Sequence, residues 1–401
     1  FTLNVGPKEK VNASLLALGY GSEEEAVRVF KEISESRGHE RRQKLLSSSL
    51  GDDLIAFTAS CDSFIVDYLG KKAVVAGYPC LGQRGRDAMI SIPGLTLANK
   101  RFDLAEKIFE NFLNKMQKGL IPSEFVDGVP QYDSVDTTLW LIASLHEYRK
   151  CVGDERFSKF VWAYWHDLKS ALEHYKSFER NGLLQNVSGT WMESLERNSA
   201  VEIQGLWYNA LKVMENFSVL LNDSLNVNYL VKKFEQNFMK NFWNGSYLRD
   251  CLGDDSFRPN QLIVLSLDYN VMHFEECKSI LRLAEGELLT PMGLRTLPKG
   301  HPKYVGQCSE TRDKTHYCGA VWPWLAGPYF RACMRYNMQE SRKKALEFVK
   351  EFLKKNLREA GIGSVSELFD GDYPHTPGGC IAHAMNSAEL MRTYSSAINI
   401  F

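Results

Sequence analysis

Apolar positions recur along this chain with the 3.6-residue period of helices, and only one short stretch breaks that rhythm. The segment EEEAVRVFKEISES (23–36) follows Ser22 as an N-cap and puts Val27, Phe30 and Ile33 on one face. A long helical stretch is predicted over 39–69. KKAVVAGYP, which follows it, is the best strand candidate. Helices are then predicted near 86–98, 102–117, 135–152, 155–177, 198–222, 226–242, 258–267, 271–284, 319–336, 339–359 and 380–398. That makes about thirteen helices and almost no alternating strand pattern. The class is all-α.

The connections carry a second pattern. Short and long ones alternate, and a long one recurs about every two helices. GKKAVVAGYPCLGQRG, GLIPSEFVDGVPQYDS, NGLLQNVSGTWMESLE, NGSYLRDCLGDDS, the stretch from TPMGLRTLPKG to THYCG, and GIGSVSELFDGDYPHTPGG each bring aromatics, all but the first bring acids, and three bring Arg. Hairpins that each carry one elaborate loop predict a closed ring of paired helices with those loops gathered at one end. An open solenoid of helix pairs is the alternative. Closure is favoured because 103–112 and GAVWPWLAGPYF (319–330) read as buried on more than one face. No linker or low-complexity segment interrupts the 401 residues, which reads as a single domain over 1–401. Residues 1–20 read as the remnant of a linker from a missing β-rich domain.

Composition narrows the function. A hydrophobic content of 44%, a charged content of 24% and a net charge of -1 give no electrostatic reason for nucleic acid or an anionic membrane as partner. No apolar run is long enough to span a bilayer. The nine cysteines are scattered without a CxxC pair, which reads as free thiols in a reducing cytoplasm and neither a zinc site nor a disulfide framework. No metal or cofactor is expected. Several aromatics stand in loops, among them Tyr78, Tyr132, Trp191, Tyr247, Tyr304 and Tyr317. Rings beside carboxylates and Arg suit sugars, whose C–H faces lie on rings while their hydroxyls seek charge.

The loops supply candidate chemistry. Arg86 and Asp87 open a helix and form a pair able to fix two vicinal hydroxyls. Asp133 and Asp136 stand at a helix N-terminus, where capping by Ser134 or Asp133 is the alternative, for Asp133 at least as good a role as ligand contact. Glu193 sits beside Trp191, and a carboxyl against an indole can be held protonated by desolvation, as a general acid requires. Glu202 lies on an otherwise apolar helix, so it either pairs or faces a cavity. Arg258, Gln261, Arg295, Arg312 and Asp313 complete the polar set, and SVSELFDGDYPH adds Glu367, Asp370 and Asp372.

Taken in order, GYPCLGQRGRDAMISIPGLTL, GLIPSEF, YDSVDTTLWLI, TWME, AVEIQGLWYNAL, FRPNQL, LLTPMGLRTL, AVWPWLAGP and SVSELFDGD resemble the C-terminal amylo-α-1,6-glucosidase domain of archaeal and bacterial glycogen debranching enzymes. The resemblance covers roughly residues 50–398. It implies an (α/α)6 barrel. It also implies hydrolysis of the single α-1,6-linked glucose left at a trimmed branch point, with a polysaccharide or oligosaccharide as partner. Carried over, Glu193 is the general acid and Glu367 the general base, with Asp370 second choice for the base. Inversion requires the two carboxyls about 6.5–9.5 Å apart with a water between them. Arg86 and Asp87 would hold the terminal glucose, Trp140 and Trp191 would wall it, and Asp136, Glu202, Arg258, Arg295 and Asp313 would complete the substrate contacts. Relatives usually carry Trp-Phe after GYP and Trp before GRD, where this chain has Cys80, Leu81 and Arg84. Such changes leave three readings: a debranching glucosidase with a reshaped pocket, a glucosidase of the same barrel acting on another α-glucoside such as an oligosaccharide or trehalose, and a helical sugar-binding domain without catalysis.

Overall fold

A computed structural model describes residues 52–68, 70–185, 189–308, 314–361 and 363–399. The chain divides after Ile55 into two compact units, and the second, Ala56–Phe401, holds the helices of the barrel. The predicted helix 23–36, the start of 39–69, the segment 1–20, Arg312 and Asp313 lie outside the described residues.

In chain order the described helices are α1 (Asp52–Cys61), α2 (Gly85–Leu95), α3 (Phe102–Leu113), α4 (Thr137–Val161), α5 (Trp165–Lys176), α6 (Val201–Leu220), α7 (Asn228–Phe242), α8 (Asn260–Ser266), α9 (Phe274–Glu287), α10 (Ala326–Arg335), α11 (Ser341–Asn356) and α12 (Ala384–Ala397). The even-numbered helices form a ring. α2 packs on α4, α4 on α6, α6 on α8, α8 on α10 and α10 on α12, and α12 returns to α2. Every residue of α2 is buried, as an inner helix touched on all sides requires. At Gly94 a Cβ would overlap the Ala388 backbone, so its bare backbone lets α2 and α12 close the ring. The odd-numbered helices bury one stripe. On α3 that stripe is Ala105, Ile108, Phe109 and Phe112, while Asp103 and Lys107 face solvent. The sequence reading had 103–112 buried on more than one face, so α3 differs from that expectation.

The fold is an (α/α)6 barrel. Further along the inner helices, a charged network joins neighbours across the ring. Asp268 accepts from His146 at 3.0 Å and Lys150 at 2.9 Å and pairs with Arg335. Arg392 reaches Glu147 at 3.1 Å, and Arg331 pairs with Glu389. No described helix is long and apolar enough to cross a membrane.

Short strands decorate the loops: β1 (Ile65–Tyr68), β2 (Lys71–Tyr78), β3 (Leu81–Gln83), β4 (Glu124–Val126), β5 (Val129–Gln131), β6 (Glu179–Arg180), β7 (Leu183–Leu184), β8 (Leu289–Thr290), β9 (Gly293–Arg295), β10 (Val321–Trp322), β11 (Leu368–Phe369), β12 (Pro377–Gly378) and β13 (Ala382–His383). β2 is the strand predicted from KKAVVAGYP. The predicted helix 39–69 ends early, because Ile65–Tyr68 pairs antiparallel with β2 from Ile65↔Val74 to Tyr68↔Lys71. Likewise 319–336 starts as strand β10 and becomes helical only after Pro323. The predicted break near 153 survives as a kink in α4 at Gly153. β13 pairs with β2, so the loops entering α12 and α2 share one sheet. A second sheet, in the order β12-β11-β10-β9-β8, gathers the loops before α10 and α12.

Candidate active site

Links between neighbouring N-terminal ends show that all the inner helices begin at one end of the barrel. Arg86 at the start of α2 bonds Asp136 at the start of α4. It also donates to the Gly189 carbonyl in the loop entering α6, at 3.0 Å. The Val201 N–H donates to the Asp250 carbonyl at 2.9 Å, and Asp250 accepts from Asn260 on α8 at 2.7 Å. Arg258 donates to the Tyr317 carbonyl ahead of α10. The Trp324 N–H donates to Asn386 on α12 at 2.9 Å. His383, just before α12, stands 3.6 Å from Asp87 on α2. The chemistry-bearing loops therefore converge, and the positive ends of the helix dipoles point among their carboxylates.

Glu193 stands at the rim with its side chain 39% exposed. Arg86 Nη1 donates to its Oε1 at 3.1 Å and Arg84 Nη1 at 3.3 Å. Arg86 is otherwise committed within the protein. Its Nε bonds both Asp136 oxygens at 2.9 and 2.7 Å, and its Nη2 bonds Ser134 Oγ at 3.2 Å. Burial works against the Arg86 charge, but Asp136, Glu193 and Asp87 together hold its guanidinium above the ordinary value. Burial raises the Asp136 carboxyl even against that neighbouring charge. Arg86 is thus a positioning group for Glu193, and Asp136 anchors Arg86. Asp133 accepts from Ser123 Oγ at 2.5 Å, so its carboxylate orders the loop and does not cap α4.

Between these groups lies a cavity of ≈ 410 Å³ lined by Arg84, Arg86, Asp87, Ser123, Glu124, Asp133, Ser134, Gly189 and Glu193. That volume falls in the range of small-molecule sites. Its charged lining is mostly acidic, which suits hydroxyl donors. Asp87 is buried in the first turn of α2 and lines the cavity.

Glu367 lies on the strap between α11 and α12, 2% exposed. Its N–H donates to the Cys380 carbonyl at 2.8 Å, and its Oε2 accepts from the Cys380 N–H at 2.9 Å. Asn386 Nδ2 donates to the carbonyls of Ser366 and Glu367, each at 2.7 Å. Gly379 has φ +67°, and a Cβ there would stand 2.5 Å from Glu367 Oε2. The same strap reaches the cavity through His383, whose N–H donates to Val365 at 2.8 Å and whose ring faces Asp87. Asp370, by contrast, accepts from the Cys308 N–H at 2.8 Å on the far side of β11.

Several residues placed by the sequence among the sugar contacts are taken up inside the protein. Glu202 is paired with Arg197, which also holds Asp250, and all three are buried. Arg258 donates to the Thr296 carbonyl at 3.2 Å and lies 3.5 Å from Asp250. Arg295 donates to the Gly371 carbonyl at 2.9 Å and fixes the strap. Trp191 is buried, donates to Asn260 at 2.8 Å, and packs edge-on against Tyr317, Trp322 and Trp324. Trp140 touches the same cluster through Trp324, 6.5 Å between ring centroids. Neither Trp lines the cavity. Asp250, Cys251 and Asp254 bring ligand-type atoms within 4.8 Å, but Asp250 is already engaged by Arg197 and Asn260, so the trio reads as part of the charge network. Sequence reasoning passed over Glu124 as a lining residue and Arg197 as the partner of Glu202, and treated Arg84 only as a departure from a pattern.

Comparison with solved structures returns the same architecture. A GH63 mannosylglycerate hydrolase from Thermus thermophilus, solved with Tris, superposes with a TM-score of 0.65 at 10% identity, covering 84% of this chain and 98% of its own. The same enzyme solved with glucose gives 0.62 at 10% identity, covering 81% and 95%. An uncharacterized conserved protein from that organism gives 0.59 at 11% identity, covering 80% and 95%. At such identities the likeness speaks for the fold. The family is settled by the sequence itself: the Amylo-alpha-1,6-glucosidase family matches residues 59–392, and the chain belongs to that family of glycoside hydrolases.

Proposed function

We propose that the chain releases glucose from single α-1,6-linked stubs of a branched glucan by an inverting two-carboxylate mechanism. The observation that carries this reading is the cavity lined by Glu193 and Asp87 at the end where the inner helices begin, with a second carboxyl, Glu367, buried on the strap that enters α12. Glu193 is aimed by Arg84 and Arg86, and Glu367 is held on the strap that His383 ties to Asp87. Protonated Glu193 gives its proton to the glycosidic oxygen as the bond to the anomeric carbon breaks. Glu367 takes a proton from the attacking water on the opposite face. Asp87 accepts from the hydroxyls of the bound glucose. Asp370, which accepts from the Cys308 amide as Glu367 accepts from the Cys380 amide, is the second choice for the base.

A second reading keeps the barrel and both glutamates but changes the substrate to a smaller α-glycoside. Arg84 favours it. A guanidinium at the cavity lip offers hydrogen bonds to a polar aglycone, and the structural neighbours include a mannosylglycerate hydrolase. The test is glucose release from a branched limit dextrin with single α-1,6 stubs, run beside maltotriose and trehalose, with mannosylglycerate hydrolysis followed in parallel. Glucose from the dextrin alone supports debranching. Turnover of another glycoside alone supports the second reading. Glu193→Gln should keep sugar binding and lose about 10²–10⁴ in kcat. Wild-type turnover by that variant removes Glu193 from the chemistry.

A further inference from the structure

Two thiols meet beside the strap that carries Glu367. Cys80 lies in the turn between β2 and β3, and Cys380 lies between β12 and β13. Their Sγ atoms are 3.0 Å apart although 300 residues separate them in sequence. They flank the β2–β13 pairing, where Tyr78 faces Ala382 and Gly77 faces His383, so both backbones are held in register. Cys80 is exposed and Cys380 is buried. All nine cysteines of the chain are free thiols, and this is the one Sγ–Sγ hydrogen-bond contact among the described residues.

We propose that Cys80 and Cys380 are a redox modification site, forming a reversible disulfide with a disulfide-class oxidant such as oxidised glutathione and locking the Glu367 strap. The exposed Cys80 thiolate attacks one sulfur of the oxidant and expels the first glutathione thiolate. Cys380 then loses its proton, its thiolate attacks the Cys80 sulfur of the mixed disulfide, and the second glutathione leaves. Two thiol protons and two electrons pass to two glutathione molecules, and one sulfur–sulfur bond joins the chain to itself. Burial pushes the Cys380 thiol up, so the second step quickens as pH rises. Closing the pair requires the sulfurs to approach by roughly 1 Å. That movement bears on Glu367 directly, because the Cys380 amide and carbonyl hold its carboxylate and its N–H. A misplacement of about 1 Å at a reacting group costs on the order of 10²-fold in rate.

The effect on catalysis rests on the reading of Glu367 as the base; the cross-link does not. The full chain is equilibrated over a series of reduced-to-oxidised glutathione ratios. Peptide mapping by mass spectrometry quantifies the Cys80–Cys380 link, and hydrogen exchange is followed over 365–383. The expected result is a link that forms and reverses with dithiothreitol, slower exchange over the strap, and kcat/KM lowered tenfold or more in the oxidised protein. Cys80→Ser keeps the activity of the reduced wild type and ignores the redox ratio. Absence of the link at every ratio overturns the proposal, and so does a link that leaves both strap exchange and turnover unchanged. A reduced protein that cleaves no glycoside sinks the functional reading instead, while the link and the exchange remain measurable.

Discussion

Gly379→Ala tests whether Glu367 takes part in the reaction, because the substitution presses on that carboxylate and on little else. Gly379 has φ +67°, in the left-handed region that costs an L-residue about 1–2 kcal/mol. The new Cβ would stand 2.5 Å from Glu367 Oε2 and 2.9 Å from its Cβ. Ordinary contact begins near 3.4 Å, so the carboxylate must retreat by about 0.9 Å. A shift of that size at a reacting group lowers kcat/KM by roughly 10- to 10²-fold, equivalent to about 1.4–2.7 kcal/mol in the barrier. The backbone term alone lowers Tm by only about 2–5 °C. The neighbouring Gly378 is the control. It needs no left-handed backbone, and a Cβ there meets only Leu368 Cδ1 at 3.0 Å, so Gly378→Ala should stay within about threefold of wild type. The assay is steady-state hydrolysis of whichever glycoside the enzyme cleaves, with thermal unfolding of both variants. Full kcat/KM in a folded Gly379→Ala protein would show that Glu367 can be displaced without consequence, and the base would have to be sought elsewhere. Equal losses in the two variants would trace the effect to the β11–β12 pairing and not to the carboxylate.

Two further substitutions address the charged interior. Arg197→Met leaves the buried Glu202 without its cation and strips Asp250 of its bidentate partner, so unfolding free energy should fall by about 3–5 kcal/mol in urea titrations; unchanged stability with lost turnover would return Glu202 to the substrate. Asp268→Asn addresses acid stability. Burial pushes the Asp268 carboxyl up, but the His146 hydrogen bond and the Lys150 and Arg335 charges win and hold it well below the usual range. A depressed folded value means the stabilisation is fully present above the unfolded value of about 4 and is lost as pH falls toward the folded one. The wild type should therefore exceed the variant by about 2 kcal/mol at neutral pH, with the gap closing below about pH 4; a gap that stays flat from neutral to about pH 3 contradicts the network.

The barrel was legible because its signal is long. Helices of ten residues or more repeat one period, and long loops recur at every second connection, so closure followed without knowledge of any contact. The strands were not legible for the opposite reason. β11 and β10 have two residues each, too few to show alternation, yet β11 directly follows Glu367 and β10 turns the chain into α10. The site divided in the same way. Glu193, Glu367 and Asp87 stood out because each sits in a motif in the first turn of an inner helix or on the loop leading into one. Glu202 and Arg258 were assigned to substrate because an acid or an arginine in an apolar context signals only that it has a partner. The partner that settles the matter, Asp250, is 53 residues from Arg197 and shares no motif with it. Trp191 was expected to wall the cavity beside Glu193, and it does not line that cavity. The sequence places a ring next to a carboxyl, but only packing reveals that its face is covered by Tyr317, Trp322 and Trp324.

The distribution of charge explains why the cavity can change while the barrel cannot. Along the inner helices, Asp268, Glu147 and Glu389 are each matched by cations from neighbouring helices, so replacing one leaves another buried and unpaired. Around the Arg197 network the same constraint reaches to the very start of α6 and α8. At the lip the constraint is absent. Arg84 is partly exposed, and its contacts to Glu124 at 3.8 Å and Glu193 at 3.3 Å are bridges of the kind that contribute little to stability. Substitution of Arg84 should therefore alter what binds without threatening the ring. On the proposed reading, specificity falls to Arg84 at the exit of the β2–β3 hairpin, and the reaction to the carboxylates that Arg86 and the strap hold in place.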